Sequence, residues 1–142
     1  MRRLLKLIDA DRVRSSIVQA EQGTRGEIRV SLSRYFLGDL DTAARRTFAR
    51  LEMTRTSDRN GVLIFVVPSR RRVRVLGDQG IHHLVGQSFW DAVALEISEH
   101  FQAGRFTEGL EAGVRTIGAA LAAHFPAQGA NPNELADEVD LG

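Results

Sequence analysis

Hydrophobic residues recur along this chain at two spacings, one helical and one with period two. After Asp9-Ala10-Asp11, the positions Val13, Ile17, Val18 and Ala20 predict a first helix ending near Gln22, capped by Asp9 or Asp11. Gly23-Thr24-Arg25-Gly26 interrupts it. Glu27-Ile28-Arg29-Val30-Ser31-Leu32 then alternates strictly, as a half-buried strand does. Residues 33–40 read as a loop, and Asp41 is the expected cap of a second helix reaching about Met53, with Ala44, Phe48 and Leu51 on one face. Asn60-Gly61 turns the chain into the aliphatic run 62–67, which suits a strand covered on both faces. Pro68 ends that run. Ser69-Arg70-Arg71 leads into Arg72-Val73-Arg74-Val75-Leu76, so these two strands are expected to form a hairpin.

Gly77-Asp78-Gln79-Gly80 reads as a flexible loop. Ser88-Phe89-Trp90-Asp91 has the spacing of a capping box for a helix running to about Gln102, stopped by Ala103-Gly104. A last helix, from about Thr107 to His124, carries Leu110, Val114, Ile117 and Leu121 inward. Glycines 109, 113 and 118 fall roughly on one of its faces, which implies close backbone packing. The predicted architecture is α/β: one domain over residues 1–127, a mixed sheet with helices on both faces (an α/β/α sandwich). Residues 128–142 hold four acids and no base, and are expected to be an extended or disordered tail unless a partner holds them.

Composition narrows the function classes. The 142 residues include no cysteine, which removes disulfides, thiolate zinc sites and a cysteine nucleophile, and fits a cytoplasmic setting. The start, Met1-Arg2-Arg3-Leu4-Leu5-Lys6, imitates a signal peptide, but Lys6 and Asp9 keep its apolar run short of a secretory core. No run approaches the length of a transmembrane helix. Residues 1–75 hold 17 basic and 8 acidic groups, residues 76–142 hold 2 and 10. Such a split raises nucleic-acid binding, for which Arg70 to Arg74 would be the contact. On the predicted helical faces of the basic half, arginines are interleaved with acids, and aromatic residues are only 6% of the chain, so nucleic acid is not an expected partner and the charges read as solvated faces.

Local motifs offer little catalytic chemistry. Asp9-Ala10-Asp11-Arg12-Val13 fits the Asp-x-Asp-x-Val nucleophile signature of haloacid-dehalogenase phosphatases. Its spacing suits a helix cap equally well, and the only lysine, Lys6, lies upstream of it. His82-His83 are adjacent and diverge on any regular element, so they make a poor metal pair. The carboxylates near strand ends, Glu27, Asp58, Asp78 and Asp91, are the candidate metal ligands, because oxygen donors on glycine-bearing loops suit calcium or magnesium. The competing reading has each of them capping a turn or helix.

Taken in order, Thr24-Arg25-Gly26-Glu27-Ile28-Arg29-Val30, Arg59-Asn60-Gly61-Val62-Leu63-Ile64-Phe65, Gly77-Asp78-Gln79-Gly80-Ile81, Phe89-Trp90, Phe101-Gln102-Ala103-Gly104-Arg105-Phe106 and Gly109-Leu110 resemble the TPM domain family over about residues 9–125. The tail, residues 133–139, is similar to the ending of its short soluble bacterial branch. Relatives include membrane-anchored bacterial proteins and a phosphatase-like thylakoid-lumen protein. The resemblance implies a mixed-sheet sandwich, while the chain's departures from the anchored branch and its charge split point to a non-catalytic binding or accessory domain. That domain would bind calcium (or magnesium), with Asp78 as first ligand and Asp58 and Glu27 behind it, and no organic cofactor. It would dock a membrane-anchored relative or other membrane protein, and so be cytoplasmic, reaching the inner membrane only through that partner. The alternative is a metal-dependent acid phosphatase of low activity. The chain departs from the anchored branch in its glycine loop, which reads Gly77-Asp78-Gln79-Gly80, and in having Leu84-Val85-Gly86-Gln87 where that branch has an aspartate after Leu-Pro.

Overall fold

A computed structural model describes residues 7–34, 38–127 and 135–142 of the chain. The signal-like start (residues 1–6) and the first part of the expected tail (residues 128–134) lie outside the described residues.

The six apolar side chains of residues 62–67 can all be buried only if their strand has protein on both sides, and the fold is arranged to do this. Strand β2 (Gly61–Val67) is the middle of a three-stranded sheet and is buried at every residue. It pairs in parallel with β1 (Glu27–Leu32) and antiparallel with β3 (Arg72–Gly77), so the expected hairpin forms through a short 3-10 turn at Pro68–Arg70. The pleat divides the side chains between two cores. Ile28, Val30, Val62, Ile64, Val66, Val73 and Val75 meet α1 (Ala10–Glu21), α4 (Gln87–Gln102) and α5 (Phe106–His124) on one face. Leu63, Phe65, Val67 and Leu76 meet Ala44 of α2 (Leu40–Arg50), Met53 and Leu135 on the other. The result is a mixed-sheet α/β sandwich.

Asp9 caps α1, its side chain accepting from the Arg12 amide at 3.1 Å; the Asp-x-Asp motif is a helix start. Three local expectations are corrected. Asp39 caps α2 by accepting from the Thr42 amide at 2.7 Å, while Asp41 turns outward to Arg45 and Arg74. Residues 77–80 are not a flexible loop: Asp78 caps the short helix α3 (Gln79–Val85). Gly86, not Ser88, precedes α4, and Asp91 bonds Gln87 and Arg74 without forming a capping box.

The end of the tail is docked, in contrast to the expectation of a free segment. Leu135 is 2% exposed and its amide donates to Glu27 Oε1 at 2.8 Å. Asp140 lies beside the outer edge of β1: its amide donates to the Val30 carbonyl and its carbonyl accepts from the Leu32 amide, both at 2.8 Å. The Asp140 carboxylate reaches the Ser31 hydroxyl and Arg50, both at 2.8 Å. Burial opposes its charge, but Arg50 and Ser31 hold its pKa below the usual aspartate value. Glu21 behaves oppositely. Burial, a shared hydrogen bond with Asp137 and the charges of Asp137 and Glu27 push its carboxyl up to about 9, although the Ile28 amide favours the ionised form.

Two predictions follow from these contacts. Gly77 has no room for a side chain, since a Cβ there would meet the Trp90 ring at 2.2 Å. Gly77→Ala is expected to cost about 1–3 kcal/mol of stability, measured as a lower urea midpoint. Glu21 keeps its proton in the folded chain at pH values where the unfolded chain, with a carboxyl near 4.5, has lost it. Stability therefore falls as pH rises from 4.5 to about 9, by at most about 1.4 kcal/mol per pH unit. Urea midpoints across that window should decline in the natural chain and flatten in Glu21→Gln.

Candidate functional site

Parallel pairing of β1 with β2, and antiparallel pairing of β2 with β3, sends three predicted ligands to one end of the sheet. Glu27 stands opposite Gly61 in the ladder, and the Asp78 amide donates to the Gly61 carbonyl at 2.8 Å. The Gly80 amide donates to the Arg59 carbonyl at 2.8 Å, so the turn after Asp58 locks against the start of α3. That contact needs glycine, because a Cβ at position 80 would be 2.2 Å from the Asp58 carbonyl oxygen. Asp91 is elsewhere, on the second turn of α4, where Arg74 links it to Asp41.

Each carboxylate at that end already has a protein partner. Asp78 is 5% exposed, and both of its oxygens are held by one guanidinium: Arg59 Nε donates to Oδ2 at 2.6 Å and Nη2 to Oδ1 at 2.9 Å. Oδ1 also takes the Gln79 amide at 2.8 Å. This two-pronged geometry is the strong form of a charge-assisted pair, and Asp78 raises the Arg59 pKa in return. Arg59 reaches it from a left-handed backbone, φ 52°, a conformation disfavoured for a side chain of this size. Asp58 meets Arg25 at 3.3 Å, and Glu27 is fully buried with the Leu135 amide on Oε1.

A hard cation needs several oxygens with free lone pairs and no competing positive charge. These residues do not fit one: the guanidinium of Arg59 already takes both oxygens of the leading ligand. Among the described residues, no group of three His, Asp or Glu side chains is arranged to hold an ion. Arg59 gives no local signal of its role, because its partner lies 19 residues away in sequence. A helical signal for α3 was present in Ile81 and Val85, four apart behind an aspartate.

Asp78 also forms one wall of a groove of about 810 Å³ between α2 and the α3–α4 corner. Phe48, Ala49 and Arg45 line it from α2, Leu76 and Gly77 from β3, and His82 and Trp90 from α3 and α4. Trp90 is 1% exposed, and its indole N–H donates to His82 Nδ1 at 2.9 Å. Since indole nitrogen only donates, Nδ1 must accept, and the neutral imidazole carries its proton on Nε2. No sequence signal foretold the groove, which exists only where α2 and α4 converge on β3.

Removing the Arg59 side chain leaves the Asp78 carboxylate buried beside one backbone amide. Arg59→Ala is therefore expected to lower the thermal midpoint, while Asp78→Asn in that background recovers part of the loss, measured by calorimetry on the single and double variants.

The geometry can be set beside known proteins. No curated protein matches the chain. Among solved structures, BA42 from the psychrophilic bacterium Bizionia argentinensis is 34% identical, with a TM-score of 0.86 and 95% of each chain covered. The N-terminal domain of a P. gingivalis protein is 20% identical, with a TM-score of 0.66 over 86% of this chain and 83% of that one. The N-terminal domain of cg2496 from Corynebacterium glutamicum is 12% identical, with a TM-score of 0.62 over 84% and 74%. The last two show a shared fold. The family model for the TPM domain matches residues 2–120, and the chain belongs to the TPM domain family.

Proposed function

We propose that this protein is a non-catalytic TPM-type binding domain in which an arginine stands where a cation would be needed for hydrolysis. The supporting observation is the two-pronged hold of Arg59 on Asp78. Metal-assisted hydrolysis requires a cation to activate water or polarise the phosphoryl group. A resident guanidinium repels that cation and offers it no carboxylate.

The partner is a membrane-associated protein, such as an anchored relative, docked at the hairpin end of the sheet. Arg34, Arg71 and Arg72 are exposed there, and none has an ion pair among the described residues. Arg71 is braced over the Phe106 ring, 5.6 Å from its centre. Since Leu135 and Asp140 belong to the protein's own cores and edge, the tail is a poorer candidate for docking than these arginines. On this reading the protein is cytoplasmic and reaches the inner membrane only through that partner. No helix among the described residues is long and apolar enough to cross a membrane.

Calcium and magnesium titrations followed by backbone amide shifts decide the first point. The expected result is no saturable movement at Glu27, Asp58 or Asp78, and no hydrolysis of an aryl phosphate with either ion above a chelator control. Saturable shifts at Asp78, with hydrolysis abolished by Asp78→Asn, would instead establish the metal-dependent phosphatase.

A further inference from the structure

We propose that the groove between α2 and the α3–α4 corner is a binding site for a small aromatic carboxylate. Its size is that of a pocket for a drug-sized molecule, about 810 Å³. The inference deepens the binding-domain reading, and rests on it only in taking Asp78 as already paired.

The ring is recognised by what lines the groove. Phe48 approaches from α2 and Trp90 from α4, with Leu76 of β3 between them. Gly77 lets the indole lie against the strand, as its missing Cβ shows. The half-buried Phe48 ring offers a face for stacking, while Trp90, buried against β3, closes the floor of the groove; a flat partner suits such a slot better than a branched one.

The charge of the ligand follows from which hydrogen-bonding groups remain. The acidic side chains of the lining are engaged: Asp78 with Arg59, and Glu52 with Arg55 at 3.4 Å. The donors are not used up. The bond from Trp90 puts the His82 proton on Nε2, which has no partner among the described residues. Arg45 binds Asp41 through Nε at 2.7 Å, and its two terminal nitrogens have no hydrogen bond among the described residues. An exposed guanidinium and an imidazole N–H at the side of an aromatic slot call for a ligand that brings acceptors and negative charge. A carboxylate on a flat ring supplies both.

The test is a titration of the isotope-labelled chain with 2-naphthoate, followed by amide shifts. The indole N–H of Trp90, the only tryptophan, serves as an unambiguous reporter. Saturable shifts are expected at Ala49, Gly77, Gln79 and the indole. The neutral carboxamide of the same ring should bind about tenfold more weakly, as should 2-naphthoate to His82→Phe. Ala49 is exposed, so Ala49→Trp can fill the groove without disturbing either core, and it should abolish the shifts while the spectrum stays dispersed. Inorganic phosphate should leave these signals in place. The proposal is overturned if 2-naphthoate gives no saturation, if its shifts fall outside the groove, or if Ala49→Trp binds as the natural chain does. None of these outcomes bears on the metal titrations, which are carried out without the aromatic acid.

Discussion

The burial of β2 on both faces is the constraint on which the rest of the molecule depends. A strand with no exposed residue needs two separate apolar layers and a neighbour on each edge. The larger layer comes from three long helices on one side. The smaller one is assembled from α2, Met53 and a leucine from the far end of the chain. Parallel pairing on one edge and antiparallel pairing on the other then collect the start of β1, the start of β2 and the end of β3 at a single rim. The gathering of Glu27, Asp58 and Asp78 is thus a by-product of covering β2, and requires no ligand to explain it.

Gathering carboxylates in one place raises an electrostatic problem, and the chain resolves it pair by pair. Arg59 neutralises Asp78, Arg25 neutralises Asp58, and Glu21 retains a proton shared with Asp137. A metal-binding relative could meet the same crowding with a cation, whereas here the positive charge is covalently part of the chain. Further along the sheet, Asp41 serves Arg45 and Arg74 together, and those arginines keep its carboxyl below the ordinary range. Part of the charge asymmetry between the two halves of the sequence is offset in space by pairs that join early arginines to late acids, as Arg12 joins Glu111 at 2.7 Å and Arg50 joins Asp140 at 2.8 Å.

What could be read from the sequence was whatever depends on local pattern. The run 62–67, the alternation of residues 27–32 and the spacing of Leu110, Val114, Ile117 and Leu121 each declare their element, and together they declare the sandwich. Asp78 shows where such reading stops. Between two glycines it looks like a loop residue free to take a ligand, yet it caps α3 and is clasped by an arginine whose proximity depends on β2 pairing with β3. The same holds for the tail, in which Leu135 and Val139 are too few to signal packing until β1 presents an edge and the second core presents a gap.

That edge has a further meaning. A strand at the border of a sheet displays unpaired amides and carbonyls that another molecule's strand can join, and small open sheets risk stacking into chains of molecules in this way. Residues 135–142 occupy that border of β1 themselves, using Asp140 as a stopper on the Val30 carbonyl and the Leu32 amide. The end of the acidic tail thereby covers backbone groups that the edge of β1 would otherwise display. Loosening it would leave the Val30 carbonyl and the Leu32 amide open to another molecule's strand.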